Sequence, residues 1–174
     1  MCFELVTKAS ISRVMALANT IWYEHYTPII GREQVTYMLD TVHSPTAIAQ
    51  QLTAGSTYHI LRCDHQDAGY AAASEQDGCF ISKLYVATAF RGRGLASAWL
   101  NELQRDYPQQ RQWLSVNKRN SNSIAFYQSQ GFTISGACVS DIGGGYVMDD
   151  YIMQRPAQDG LAPILPTLPN TVQD

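Results

Sequence analysis

A strand-like run from Cys79 to Val86 leads through Arg91-Gly92-Arg93-Gly94 into a helix whose Leu95, Ala96, Trp99, Leu100 and Leu103 share one apolar face. Strand, glycine turn and amphipathic helix in that order confine the chain to folds in which helices pack on a sheet. The glycines let the backbone come close to a ligand, and the N–H groups opening the helix suit an anion. Arg91 and Arg93 add positive charge at the same spot. The bland alternative is a surface loop with ordinary helix-start chemistry.

The rest of the chain fits the same kind of fold. Phe3 to Thr7 reads as a strand, and Ser10 caps a helix carrying Ile11, Val14, Ala18, Ile21 and Trp22 that should end at Thr27-Pro28. Val35, Met38 and Leu39 mark a helical stretch over Gly31 to Asp40, and Ser44-Pro45 opens another through Leu52 to Gly55. Three strand-like runs follow, Thr57 to Cys63, Ala68 to Ser74 and Cys79 to Val86, joined by the turns DHQD and QDG. After the helix from Leu95 to Tyr107 come a strand (Gln112 to Val116), a helix (Ser121 to Gln130), a strand (Phe132 to Val139), a GGG turn and a strand (Tyr146 to Gln154). The fold class is α/β of the α+β, mixed-sheet kind.

Spacing separates the phosphate-binding options for the glycine loop. The P-loop pattern G-x-x-x-x-G-K-[ST] is absent, and the dinucleotide pattern fails because Gly92-x-Gly94 runs on to Ser97 and Val116-Asn117 stands where an acidic ribose ligand is needed. Arg91-x-x-Gly94-x-Ala96 after ISKLYV fits a third pattern, [RQ]-x-x-G-x-[GA]. Here the chain resembles the GCN5-related N-acetyltransferase (GNAT) superfamily. Val116-Asn117, Asn120, Ser123-Ile124, Phe126-Tyr127 and Gly131-Phe132 resemble a second segment of that family, with Ser123 where alanine is more usual. The resemblance covers residues 3 to about 154 and implies a central, mostly antiparallel twisted sheet with helices on both faces. It gives a GNAT domain over residues 1–155 and leaves 156–174 as a proline-rich tail.

The resemblance also implies roles. Backbone N–H groups of Arg91, Gly92, Arg93, Gly94, Leu95 and Ala96 would cradle the pyrophosphate of acetyl-coenzyme A, and the backbone of Leu84, Tyr85 and Val86 would pair with its pantetheine arm as an added strand. The amide near Val86 would polarise the thioester carbonyl. Asn120 and Tyr127, seven apart, would share one helical face along the cofactor arm. In the implied mechanism an amine attacks the acetyl carbon directly and the Tyr127 hydroxyl protonates the departing thiolate. Tyr127 as a plain core residue is the alternative.

A base must take the amine proton, and Glu75 is the choice, with Asp77, Glu24, His25, His59, Asp149 and Asp150 also available. The resemblance implies an acceptor pocket lined by the first two helices and the last two strands, so acceptor-binding residues are expected among Tyr23, Glu24, Tyr37 and Asp150, where carboxylates interleave with aromatic rings and suit a flexible polycation. The stretches GREQVTYML and GGGYVMDDYIM resemble PaiA-type polyamine acetyltransferases, which implies spermidine, spermine or a similar amine. A protein N-terminus, an amino acid or an antibiotic is an alternative acceptor. A non-catalytic acyl-CoA sensor and a covalent route through Cys79 or Cys138 complete the set.

Composition limits the rest. With 174 residues and a net charge of -3 the chain is one domain without the basic field nucleic acid needs, so no nucleic-acid partner is expected. No apolar run approaches the ~18 residues of a membrane span, and Glu4 interrupts what a signal peptide needs, so a cytoplasmic protein without a membrane partner is expected. Cys2, Cys63, Cys79 and Cys138 form no metal-ligand pattern, and no metal is expected. Pro156, Pro163, Pro166 and Pro169 exclude helix from the tail, which is expected to be extended or disordered, and its Leu161, Ile164, Leu165 and Leu168 are compatible with docking on a neighbouring subunit of a homodimer or along the sheet.

Overall fold

The structure, a computed structural model, describes residues 1–157. The expected tail beyond Ala157 lies outside the described residues. Seven strands, β1 (Cys2–Leu5), β2 (Thr57–Cys63), β3 (Gln66–Glu75), β4 (Cys79–Val86), β5 (Gln112–Asn117), β6 (Thr133–Gly143) and β7 (Tyr146–Arg155), form one sheet in the order β1-β2-β3-β4-β5-β7-β6. Every neighbouring pair is antiparallel except β4 with β5, which is parallel because a helical crossover joins them.

Helices cover both faces. α1 (Ile11–Ile30), α2 (Arg32–Asp40) and α3 (Pro45–Thr53) pack their buried Val14, Ile21, Trp22, Val35 and Ile48 with Tyr58, Ile60 and Tyr70 of the sheet. α4 (Leu95–Asp106) and α5 (Ser121–Ser129) close the other face, where Trp99, Leu100 and Tyr127 meet Leu61, Ile81, Leu114 and Met153. Arg155 fastens that side, donating to Leu100 O at 2.7 Å, Gln112 Oε1 at 2.9 Å and Gln130 O at 3.2 Å.

Three boundaries differ from expectation. α1 does not stop at Thr27 but carries Pro28 in its last turn, and Gly31, at φ 86°, ends it with an N–H to Thr27 O of 3.0 Å. Packing of Ile30 against the core offsets the hydrogen bond that Pro28 removes. The turn between β2 and β3 is only Asp64-His65, both at positive φ, and Asp67 stands in β3, where its carboxylate meets Arg13 at 2.7 Å. β6 runs four residues past Val139, because its hairpin with β7 stays paired up to Gly143 and Tyr146.

Candidate active site

The site begins as a break in the sheet. β4 and β5 pair only at Cys79 with Gln112 and Phe80 with Trp113. Against β3 the register steps from Ala73 with Ile81 to Ala72 with Lys83, which leaves Ser82 as an extra residue in β4. Such a bulge bends its strand, so β4 turns away while β5 stays bonded to β7 along its length. Among the described residues no strand takes that edge of β4 from Ile81 to Val86. A cleft of about 810 Å³ runs through the gap.

The glycine loop forms one end of the cleft. Gly92 and Gly94 sit at φ 74° and 78°, a region costly for residues with a Cβ, and Gly94 is the residue preceding α4. The opening N–H groups of α4, from Leu95 and Ala96 onward, have no carbonyl within the helix to meet. Arg91, Gly92, Gly94, Leu95 and Ala96 line the cleft beside Leu84, Tyr85 and Val86. The Arg91 Nε donates to Val86 O at 3.0 Å. Arg93 departs from expectation: its guanidinium lies over the Phe90 ring and pairs with Asp64 at 3.0 Å, so its charge is spent on the β2–β3 turn.

Along the cleft, Asn122, Ser123, Phe126 and Tyr127 of α5 form the wall facing β4. Asn120 does not share a helical face with Tyr127. It precedes the first turn at φ -87°, ψ 66°, and its Oδ1 accepts the Ser123 N–H at 3.3 Å, a capping role that places it outside the helical repeat. Its Nδ2 lies 3.5 Å from the Tyr26 hydroxyl. Burial, with the nearby Tyr26, holds the Tyr127 phenol protonated well beyond its ordinary range.

The other end of the cleft is walled by Ile21, Trp22, Ile30, Met38, Val42 and Met148. Of the expected acceptor residues, Asp150 alone reaches it. Asp150 is 3% exposed, burial pushes its carboxyl up to about 6, and its Oδ1 is buried with no hydrogen-bond partner. Tyr23 bonds Thr36 Oγ1 at 2.9 Å beneath the Arg32 guanidinium, and exposed Glu24 accepts from Thr88 at 3.1 Å. Tyr37 donates to Ile142 O at 2.6 Å, with its ring over Gly144, where a Cβ would come within 2.8 Å of it. None of these three lines the cleft.

The other expected bases divide in the same way. Glu75 is exposed at the closed end of the gap and accepts from Gln110 at 3.4 Å, because the β3–β4 hairpin lies where the strands are still paired. Asp77 pairs with Arg111 at 2.6 Å, Asp149 with Lys118 at 2.5 Å, and His59 accepts from Trp99 at 3.3 Å. His25 lines the cleft, its imidazole held below the ordinary range by burial and by Arg91.

Two cleft residues were not anticipated. Lys83 is 5% exposed, donates from Nζ to Gln51 Oε1 at 2.9 Å and lies 5.2 Å from the Tyr58 ring centre. Burial lowers its ammonium to about 8, still protonated at neutral pH. His43 is 2% exposed, with Nδ1 3.2 Å from the Tyr70 hydroxyl, which in turn takes the Trp22 indole N–H at 3.0 Å. Burial, then Lys83, pushes the His43 imidazole down to about 3, so it is neutral. A lysine inside the apolar run ISKLYV was the signal for the first, and nothing local marked the second.

Among the described residues no group of three or more His, Cys, Asp or Glu side chains is placed to hold a metal ion, and no helix is long and apolar enough to cross a membrane.

Comparison with known proteins agrees with this fold. Residues 26–144 match the family described as acetyltransferase (GNAT) domain, and the chain belongs to that acetyltransferase family. Its fold is similar to that of PaiA N-acetyltransferase from Thermoplasma acidophilum, solved in complex with coenzyme A, with a TM-score of 0.74 and 16% identity over 90% of this chain and 99% of that one. A GCN5-related N-acetyltransferase from Rhodopseudomonas palustris gives a TM-score of 0.76 at 13% identity, covering 89% and 94%. An uncharacterized N-acetyltransferase in the pepI 3' region of Lactobacillus delbrueckii subsp. lactis is 26% identical over 113 residues, 58% of this chain, and the match spans 65% of that relative's own length.

Proposed function

We propose that this protein transfers the acetyl group of acetyl-CoA to a primary amine of a small molecule, and that Asp150 and Tyr127 move the protons. The carrying observation is the gap between β4 and β5 with the glycine loop at one end and a buried carboxyl at the other. The free edge from Ile81 to Val86 suits the amides of a pantetheine arm, and the opening turn of α4 with Arg91 suits its pyrophosphate. When bound, acetyl-CoA supplies an activated thioester. Asp150 takes the amine proton at Oδ1, which has no other partner. Tyr127 holds a proton at its hydroxyl, ready for a leaving thiolate.

A polyamine acceptor is supported by Asp150 lining the same cleft as the rings of Trp22 and Tyr26, which attract a cation. The buried Lys83 ammonium in the same space favours a substrate with fewer positive charges. Exposed Ile134 and Val139 on the edge strand β6 support a homodimer, readable by sedimentation equilibrium. Free thiols at Cys2, Cys63, Cys79 and Cys138 support a reducing, cytoplasmic setting.

Calorimetry with acetyl-CoA, CoA and NAD, followed by turnover on an amine panel, tests the reading. Micromolar acetyl-CoA binding, no NAD binding and amine-dependent release of CoA are expected. Failure to bind acetyl-CoA would remove it.

A further inference from the structure

Lys83 is a cation in the wrong surroundings. It stands on β4 where that strand borders the gap, is 5% exposed with its ammonium over the Tyr58 ring, and lines the cleft. Among the described residues no carboxylate lies within ion-pair distance of it. Gln51 Oε1, which takes one ammonium N–H, also accepts from the Tyr58 hydroxyl, so it has little left to give. Buried charges without a partner are rare, because leaving water is costly unless an opposite charge replaces it.

A second donor faces the same space. The Trp22 indole can only donate, so the Tyr70 oxygen accepts from it, and among the described residues His43 Nδ1 is the one acceptor left for the Tyr70 proton, which assigns the proton to that bond. A neutral His43 then carries its own proton at Nε2, and its ring lines the cleft with Lys83. Around the two lie the apolar walls of Ile21, Met38, Val42 and Met148.

We propose that Lys83 and His43 form an anion-binding subsite of the acceptor pocket, so that the amine acetylated here carries a carboxylate held at Lys83 Nζ. The substrate class is thus an amino acid with an apolar body, its amine toward Asp150 and its carboxylate toward Lys83. This rests on the transferase reading above.

The test pairs each amino acid with the amine it becomes on loss of its carboxylate: leucine with 3-methylbutylamine, phenylalanine with 2-phenylethylamine, 5-aminopentanoate with butylamine, plus spermidine. The carboxylate member of at least one pair should have a kcat/KM roughly tenfold or more above its amine. Lys83→Met should bring that ratio near one, through KM, and Lys83→Arg should retain part of it. Inhibition by 3-methylbutanoate, competitive with the acceptor, reads the subsite in the unmodified protein should either variant fail to fold. Plain amines or spermidine turned over as fast as the amino acids, or a ratio unmoved by Lys83→Met, would overturn the subsite and leave the transferase standing. Bound acetyl-CoA with no amine turned over would overturn both.

Discussion

The Asn120 amide lies 3.5 Å from the Tyr26 hydroxyl, joining the cap of α5 on one face of the sheet to α1 on the other. Contact between opposite faces is open to these residues only because β4 and β5 have separated. Tyr26 stacks on Trp22 at 4.4 Å, and burial raises its phenol to about 12, so the join is made by a neutral hydroxyl. Asn120 therefore ties the α5 wall of the cleft to its α1 wall.

Tyr127→Phe keeps the ring against Phe126 and Phe132 and removes only the hydroxyl. Loss of a positioned acid should lower kcat by roughly 10²- to 10⁴-fold, with acetyl-CoA affinity nearly kept. Steady-state kinetics beside calorimetry reads both. Unchanged turnover would remove the acid role, and an absence of turnover in the parent protein would favour a sensor.

Asp150→Asn should cost a comparable factor and flatten the pH profile. Burial holds this carboxyl near 6 against 3.8 in its ordinary state, so kcat/KM of the parent protein should climb as pH passes about 6. The sign for stability is opposite. A raised carboxyl favours the protonated fold, so its contribution is present at low pH and is lost as pH rises from 3.8 through about 6. The melting temperature of Asp150→Asn relative to the parent should increase across that interval.

His43 works the other way in stability. Its imidazole is lowered from 6.5 to about 3, so the unfolded chain takes up a proton first and stability falls as pH drops below 6.5. His43→Gln should soften that acid loss. The two windows overlap with opposite sign, so each is read as variant minus parent across a pH series of melting curves.

Gly94→Ala tests the loop. A Cβ there meets no atom within 4 Å, but the backbone sits at φ 78°, so the cost is conformational, roughly 1–2 kcal/mol. Lower stability and weaker acetyl-CoA binding are expected together. A variant with native affinity would show that the left-handed turn is not needed to hold the pyrophosphate.

Tyr37→Phe separates support from substrate binding. Losing the 2.6 Å bond to Ile142 O should cost about 1 kcal/mol and lower the melting temperature. Acceptor KM should shift by less than about twofold, because Tyr37 does not line the cleft. A tenfold rise in KM would return it to the acceptor site.

Element types were readable because they depend on local spacing: Leu95, Trp99 and Leu103 mark a helix wherever they fall, and QDG marks a hairpin. The glycine loop was readable for the same reason. What escaped depends on contacts distant in sequence. The bulge at Ser82 is a property of the register with β3, and Asn120 becomes a cap only where α5 begins. The carboxylates near Tyr23 and Glu75 look alike on paper to Asp150, yet only the pairing of β7 beside β5 carries one of them into the cleft. Pro28 misled because packing of Ile30 outweighs a local rule.

Two residue pairs, Cys79 with Gln112 and Phe80 with Trp113, are the whole ladder between β4 and β5. The sheet is in effect two leaves on a short spine, and whatever hydrogen-bonds along the free edge of β4 acts as a splint between them. On the proposed function, a cofactor and an acceptor bound across the gap would help each other without touching, by holding the same two leaves in place. Amide exchange in Ile81 to Val86 should then slow when acetyl-CoA is added and slow further with the acceptor present.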